Sequence, residues 1–284
     1  MAAKVIGVLH PGEMGGGVAA ALRGVGHEVV WVPAGRSPET VARAEAAGLR
    51  TVGSVEELTA VSDIVLSIVP PHAALGVALQ AAQGARLFVD ANAVSPETAA
   101  EVGDAITRGG GTFVDGGIVG PPPSKPGTTR LYLSGQRAAD VARLFSGSPM
   151  EALVLEGGPG TASAFKASYA AWTKGTDALL LAIVATARHH GIEQQLLAEW
   201  ARSKPDLAAR VHGAGWAASR KGWRWVREME EIAATFASAG LPRGFHEAAA
   251  EVFRRSPHDL SAGRDDATVS RVVDSLLEDV RRGS

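Results

Sequence analysis

Cysteine is absent from this chain of 284 residues. Disulfides, thiolate nucleophiles and cysteine-ligated metals are excluded with it. An excess of charge is missing as well. The formal net charge is -2, so no basic field invites nucleic acid. Long apolar runs are scarce. The longest, Ala178–Ala185, falls far short of the roughly 20 residues that span a bilayer, and a buried helix accounts for it. No membrane partner is expected. No secretory signal is read where Lys4 leads straight into an apolar strand, and a cytoplasmic protein is expected. What is present is a globular composition, 46% hydrophobic and 20% charged. That supplies a core for one large or two modest domains.

The first half alternates β-branched runs with alanine-rich helical stretches. Strands are predicted at Lys4–Leu9, Glu28–Val32, Asp63–Val69 and Leu87–Asp90. Helices are predicted at Met14–Val25, Pro38–Ala47, Ser54–Val61, Ala73–Ala82 and Pro96–Arg108. This alternation predicts an α/β fold, a Rossmann-type doubly wound parallel sheet covered on both faces. Further strands are predicted at Thr112–Asp115, Arg130–Ser134 and Leu153–Leu155, with Gly116–Pro123 read as loop. After Gly157-Gly158-Pro159-Gly160 only helices are predicted: Ala162–His190, Ile192–Ser203, Pro205–Ala218, Trp223–Ala239, Phe245–Arg254 and Ala267–Arg281. The reading is therefore a dinucleotide-binding domain over 1–158 and an all-α domain over 159–284 that begins with a long interdomain helix.

Between the first strand and first helix lies His10-Pro11-Gly12-Glu13-Met14-Gly15. Gly12 lets backbone approach a pyrophosphate, and Gly15 lets the helix lie close on the strand. The free N–H groups of that helix start favour the diphosphate. His10 stands where the three-glycine fingerprint has its first glycine. The second strand ends in Trp31–Ser37, which holds no carboxylate for the adenosine ribose. Arg36 and Ser37 suit a 2′-phosphate instead, so NADP is the expected cofactor.

These motifs resemble the β-hydroxyacid dehydrogenase superfamily, which includes 3-hydroxyisobutyrate dehydrogenases, 6-phosphogluconate dehydrogenases and imine reductases. Gly12–Gly15 is similar to its glycine–x–methionine–glycine turn, and Gly35-Arg36-Ser37 to its NADP element. Val69-Pro70 resembles the strand end along the cofactor. Asp90–Pro96, with Asn92, resembles the segment that follows. Asp115–Gly120 resembles the substrate-binding loop, and Gly157–Lys166 the glycine-rich start of the helix that bears the catalytic lysine. The Gly120–Pro123 loop and Arg224–Glu231 resemble a phosphogluconate-dehydrogenase-like branch. The resemblance implies cofactor contacts from His10, Pro11, Gly12, Glu13, Met14, Gly15, Arg36, Ser37, Val69, Pro70 and Asn92. It implies substrate contacts from Ile118, Val119, Gly120, Tyr169, Ala170 and Thr173. It also implies a homodimer with interleaved C-terminal helices.

Departures from the family bear on the substrate. Val119 replaces a serine of the substrate loop. Tyr169 and Ala170 replace asparagines three and four residues past the lysine. These changes point away from an ordinary 3-hydroxyacid and from 6-phosphogluconate, toward a small, rather apolar carbonyl or alcohol. Lys166 is the candidate general acid for the oxygen that gains charge on hydride transfer. At helical spacing, Lys166, Ala170, Thr173 and Asp177 share one stripe. Imine reductases usually carry aspartate or tyrosine at the lysine's position, so Lys166 favours C=O over C=N chemistry. Imine reduction, and a cofactor-binding sensor or scaffold without catalysis, are the alternatives.

No metal site is expected. His189-His190 reads as a dipole-favoured helix end. Glu228, Glu230 and Glu231 read as a solvated face, and His246-Glu247 as incidental. Trp216, Trp223 and Trp225 read as core or dimer contacts.

Overall fold

The structure, a computed structural model, describes residues 2–282. Its elements in chain order are β1 (Val5–Val8), α1 (Glu13–Gly24), β2 (Glu28–Trp31), α2 (Pro38–Ala46), β3 (Arg50–Thr51), α3 (Val55–Val61), β4 (Ile64–Ser67), α4 (Ala74–Ala81), β5 (Leu87–Asp90), α5 (Pro96–Arg108) and β6 (Thr112–Val119). Then come β7 (Thr129–Ser134), α6 (Ala138–Leu144), β8 (Met150–Val154), α7 (Thr161–His189), α8 (Glu193–Ser203), α9 (Leu207–Ser238), α10 (Gly244–Arg255) and α11 (Asp266–Arg282). Serines start three of the helices. Ser37, Ser54 and Ser95 accept from the backbone N–H of Thr40, Glu57 and Thr98, and Pro38 and Pro96 follow two of them. A side-chain acceptor and a preset φ are what a helix start asks for.

The strands form one sheet in the order β3-β2-β1-β4-β5-β6-β7-β8. Neighbours are parallel except at β6–β7. Side chains alternate between two cores, as period-2 strands require. Val29, Trp31, Ile64 and Leu66 join α1 and α6 in one core. Val30, Val32, Val65 and Phe88 join Leu58, Ala78 and Val102 from the helices of the other face. Both faces are covered, so β4 and β5 are buried at every residue. The sheet turns back on itself at β1, which lies between β2 and β4. The crevice at the carboxyl ends of β1 and β4 is the topological switch point, where doubly wound folds take nucleotides.

The chain divides into two compact units, the first running through Ala167 and the second starting at Ser168. The second unit is entirely helical among the described residues. No described helix is long and apolar enough to cross a membrane.

Four elements differ from the sequence reading. β6 continues through Val119 instead of stopping at Asp115, so Ile118 and Val119 lie in a strand and not in a loop. They pair with Leu131 and Arg130. The glycines that read as loop are strand residues under a close neighbour: a Cβ on Gly117 would lie 2.8 Å from Lys166 Cβ and 3.0 Å from Ala162 O. Helix α6, absent from the reading, buries Ala138, Val141 and Leu144 at helical spacing. The two-residue β3 was also absent. Finally, α9 is one helix of 32 residues where two were predicted. Gly215 and Gly222 serve there as contact points: a Cβ on them would lie 3.0 Å from Val269 and 3.4 Å from Phe253. Tertiary contact, not chain breaking, explains those glycines.

Candidate functional site

The turn after β1 runs directly into α1. Gly12 caps α1 in extended conformation and supplies no side-chain cap to the helix start. Its first N–H groups remain available to an anion. A Cβ on Gly15 would stand 2.2 Å from His10 O, so any side chain would lift the helix off the turn. This cradle fits a dinucleotide diphosphate. Among the other turn residues, Pro11 is buried, His10 and Met14 are half-buried and Glu13 is exposed. The Pro122-Pro123 pair of the loop after β6 lies against the same helix: a Cβ on Gly17 would meet Pro122 Cβ at 3.0 Å and Pro123 Cδ at 3.1 Å.

Arg36, beyond β2, reaches back to this turn. Its Nη2 donates to Leu9 O at 3.0 Å, and its Nη1 meets His10 Nδ1 at 3.1 Å. Its Nε is buried without an acceptor. Ser37 is exposed and accepts from Thr40 N–H at the start of α2. The sequence reading missed Arg43. From α2 its stem crosses Gly16, whose Cβ would stand 2.6 Å from Arg43 Cδ, and its Nη1 donates to Pro11 O at 3.4 Å. Burial, then the charges of Arg36 and Arg43, hold the His10 pKa below its ordinary value.

At the ends of β4 and β5, Val69 N–H donates to Asn92 Oδ1 at 2.6 Å, and Asn92 Nδ2 donates to Ser67 Oγ at 3.1 Å and to Asp90 Oδ1. Asn92 is buried, and its amide joins the two strand ends within the protein. It shapes the ledge of Val69 and exposed Pro70. Beside it, burial first and the charge of Asp115 second push the Asp90 pKa up to about 7. Asp90 and Asp115 are direct neighbours across β5 and β6.

Asp115 holds the start of α7. One of its oxygens accepts from Gly160 N–H at 2.9 Å, Ser163 N–H at 3.0 Å and Ser134 Oγ at 3.0 Å; the other accepts from Ser163 Oγ at 2.6 Å. Ser134 Oγ accepts in turn from Ala162 N–H at 3.0 Å. This clamp sets half-buried Lys166 over Gly117. Because Asp115 is in register with Asp90, Gly117 lies past the carboxyl end of β5, on the edge of the sheet that carries the phosphate turn.

The expected substrate residues fare unevenly. Ile118 and Val119 are 7% and 3% exposed, and Ile118 belongs to a core. Gly120 is exposed, with φ +117, and a Cβ there would strike Thr128 O at 2.2 Å. In the second unit, Ala170 is buried and Tyr169 exposed, and Thr173 Oγ1 donates to Tyr169 O at 3.3 Å. Asp177, on the stripe below, has its pKa raised to about 6 by burial, against the opposing charges of Arg210 and Arg264.

The second unit also corrects the reading of the acidic run. Glu228 and Glu231 are buried. Glu228 pairs with Lys174, which lies 5.2 Å from the Trp225 ring, and Glu231 pairs with Arg227. Helices on both sides cover what looked like a solvated face. His246 is buried against Phe236, its ring 4.4 Å away. Trp225 meets Phe253 edge-on at 5.1 Å, and Trp223 is exposed.

Fold and turn together define a dinucleotide-binding protein. Residues 5–144 match the family described as the NAD binding domain of 6-phosphogluconate dehydrogenase, and 187–256 match a domain of unknown function, DUF1932. The conserved protein MTH1747, described as structurally similar to 3-hydroxyacid dehydrogenases, superposes with TM-score 0.65 at 28% identity, over 99% of each chain. A conserved hypothetical protein of Sinorhizobium meliloti 1021 does so with TM-score 0.72 at 26% identity, over 96% of this chain and 97% of its own. The 3-hydroxyisobutyrate dehydrogenase of Mycobacterium tuberculosis, solved with L-serine, shares the fold with TM-score 0.71 at 19% identity, over 97% and 99%. An uncharacterized 28.5 kDa protein of Methanothermus fervidus is 32% identical over 165 residues; the match spans 57% of this chain and 63% of that relative's length. Residues 5–144 thus carry the NAD-binding domain, the cofactor class is a nicotinamide dinucleotide, and the whole chain is similar to proteins of the β-hydroxyacid dehydrogenase superfamily.

Proposed function

We propose that the protein is an NADP-dependent oxidoreductase that moves hydride between nicotinamide and a small carbonyl or alcohol substrate, with Lys166 as general acid and base. The observation that carries this reading is Lys166 clamped over Gly117, on the sheet edge that also bears the open start of α1.

The cradle of Gly12 and Gly15 fits the diphosphate, and Arg36 fits a 2′-phosphate. Bound nicotinamide supplies or takes the hydride. As charge builds on a carbonyl oxygen, the Lys166 ammonium gives it a proton; in the reverse direction the amine takes the proton from the alcohol. Asp115 holds the backbone from which that lysine projects. Tyr169 and Ala170, in place of two family asparagines, favour an apolar substrate.

A homodimer is part of the same reading. Tyr169, Trp172 and Leu179 recur along α7 and are 46%, 67% and 59% exposed. A second copy covering that face would bury them.

The test is NADPH fluorescence titration, followed by turnover of a carbonyl panel and an imine panel. NADPH binding, carbonyl reduction, and a loss of about 10²–10⁴ in kcat for Lys166→Ala at unchanged NADPH affinity are expected. Binding without turnover on either panel would support the sensor instead. Turnover confined to imines would support the imine reductase.

A further inference from the structure

The β1–α1 turn carries two guanidinium groups, Arg36 and Arg43, and the charge of Arg43 also reaches Glu39, one turn back on α2. Arg36 is held by Leu9 O and the His10 ring, Arg43 by Pro11 O. They arrive from different elements, the loop after β2 and the helix α2. Both reach consecutive residues of one turn, Arg36 at Leu9 and His10 and Arg43 at Pro11. Two like charges brought to one turn beside a helix start favour an anion there.

Resting on the reading of this turn as a dinucleotide site, we propose that His10 and Arg43 are specificity residues for the cofactor's 2′-phosphate. Arg43 is a second guanidinium beside Arg36, and His10 is the acceptor that aims the Arg36 fork. An arginine can only donate, so His10 Nδ1 accepts the 3.1 Å bond and the ring proton sits on Nε2. Burial and the two cations keep the ring neutral at neutral pH and so fit for that task. His10 has a negative φ, so the turn needs no glycine there, and its imidazole lies beside Gly12, whose Cβ would stand 3.2 Å from it. Gly16 has a matching use, leaving room for the Arg43 stem to cross α1. Arg36 retains a buried Nε without an acceptor, a donor for a phosphate oxygen.

The test is calorimetric titration of NADP+ and NAD+ into the wild type, Arg43→Gln, His10→Ala and His10→Asn. Arg43→Gln is expected to weaken NADP+ at least about tenfold while NAD+ changes less than about twofold. His10→Ala is expected to erode the NADP+ preference several-fold. His10→Asn, whose amide oxygen can take the place of Nδ1, is expected to restore it. Equal weakening of both nucleotides in Arg43→Gln, or no change, would overturn the proposal while leaving the dinucleotide site intact. A His10→Asn variant no better than His10→Ala would overturn the role of the imidazole. Absence of binding by either nucleotide to the wild type would overturn both this proposal and the proposed function.

Discussion

The Ser163 hydroxyl donates to Asp115 across 2.6 Å, and the same carboxylate accepts the Ser163 backbone N–H at 3.0 Å. One side chain of β6 thus caps the first turn of α7 from the sheet. Four donors converge on it in a buried place. Removing it strands them, at about 1–3 kcal/mol for each buried donor left without a partner, less whatever water recovers. Asp115→Ala is therefore expected to cost about 3–5 kcal/mol, read as a lowered urea midpoint at unchanged slope. A loss below about 1 kcal/mol would show that the clamp does not hold the helix.

Asp90 gives the fold a pH dependence. Its pKa rises from 3.8 to about 7 on folding, through burial first and the nearby Asp115 charge second. The folded protein therefore holds this proton more tightly than the unfolded chain. Stability from the group is complete below pH 3.8, declines as pH rises toward about 7, and is flat above that. Asp90→Asn keeps a neutral group there at every pH. The variant is expected to gain on the wild type as pH rises, by up to about 4 kcal/mol above neutrality. Urea midpoints between pH 4.5 and 8.5, in about half-unit steps, measure this. A gap that stays constant across the range would refute it.

Gly15→Ala sets two effects against each other. Alanine in a helix interior is worth about 1 kcal/mol over glycine. Here its Cβ would stand 2.2 Å from a backbone oxygen that cannot rotate away. The clash is expected to win, at about 1–3 kcal/mol net destabilisation. Affinity for NADP+ and NAD+ is expected to fall together, since the displaced helix start serves the diphosphate common to both. A raised melting temperature would show that the turn yields freely.

Trp172 is 67% exposed on α7. If a second copy covers it, Trp172→Glu buries a charge in an apolar contact and is expected to yield monomers. Light scattering at micromolar concentration decides this, with circular dichroism to confirm that the variant folds. A wild type already monomeric under those conditions would remove the dimer from the account.

Much of the first unit was legible because its local rules agree. Pro38 and Pro96 behind capping serines, doubly apolar strands such as Ile64–Ser67, and glycines at turns all point one way. The phosphate turn was legible for the same reason: its chemistry is carried by backbone and by residues adjacent in the chain. Where glycine serves contact between elements, local reading failed. Gly116 and Gly117 looked like loop and are strand, and Gly222, left between two predicted helices, lies inside α9. The acidic run at Glu228 looked solvated because nothing in its own helix reveals the Lys174 opposite.

The sequence by itself determined the alternation of strands and helices in the first half, the all-helical second half and the candidates for a dinucleotide turn and a catalytic lysine, because these follow from periodicity, turn chemistry and likeness to a family. Only tertiary structure could decide that Asp115 anchors the helix bearing that lysine, that Asp90 is forced toward neutrality, and that Arg36 and Arg43 both reach back to the turn at Leu9–Pro11. Each of those depends on a distance between residues far apart in the chain, and burial and charge act through such distances rather than through sequence spacing.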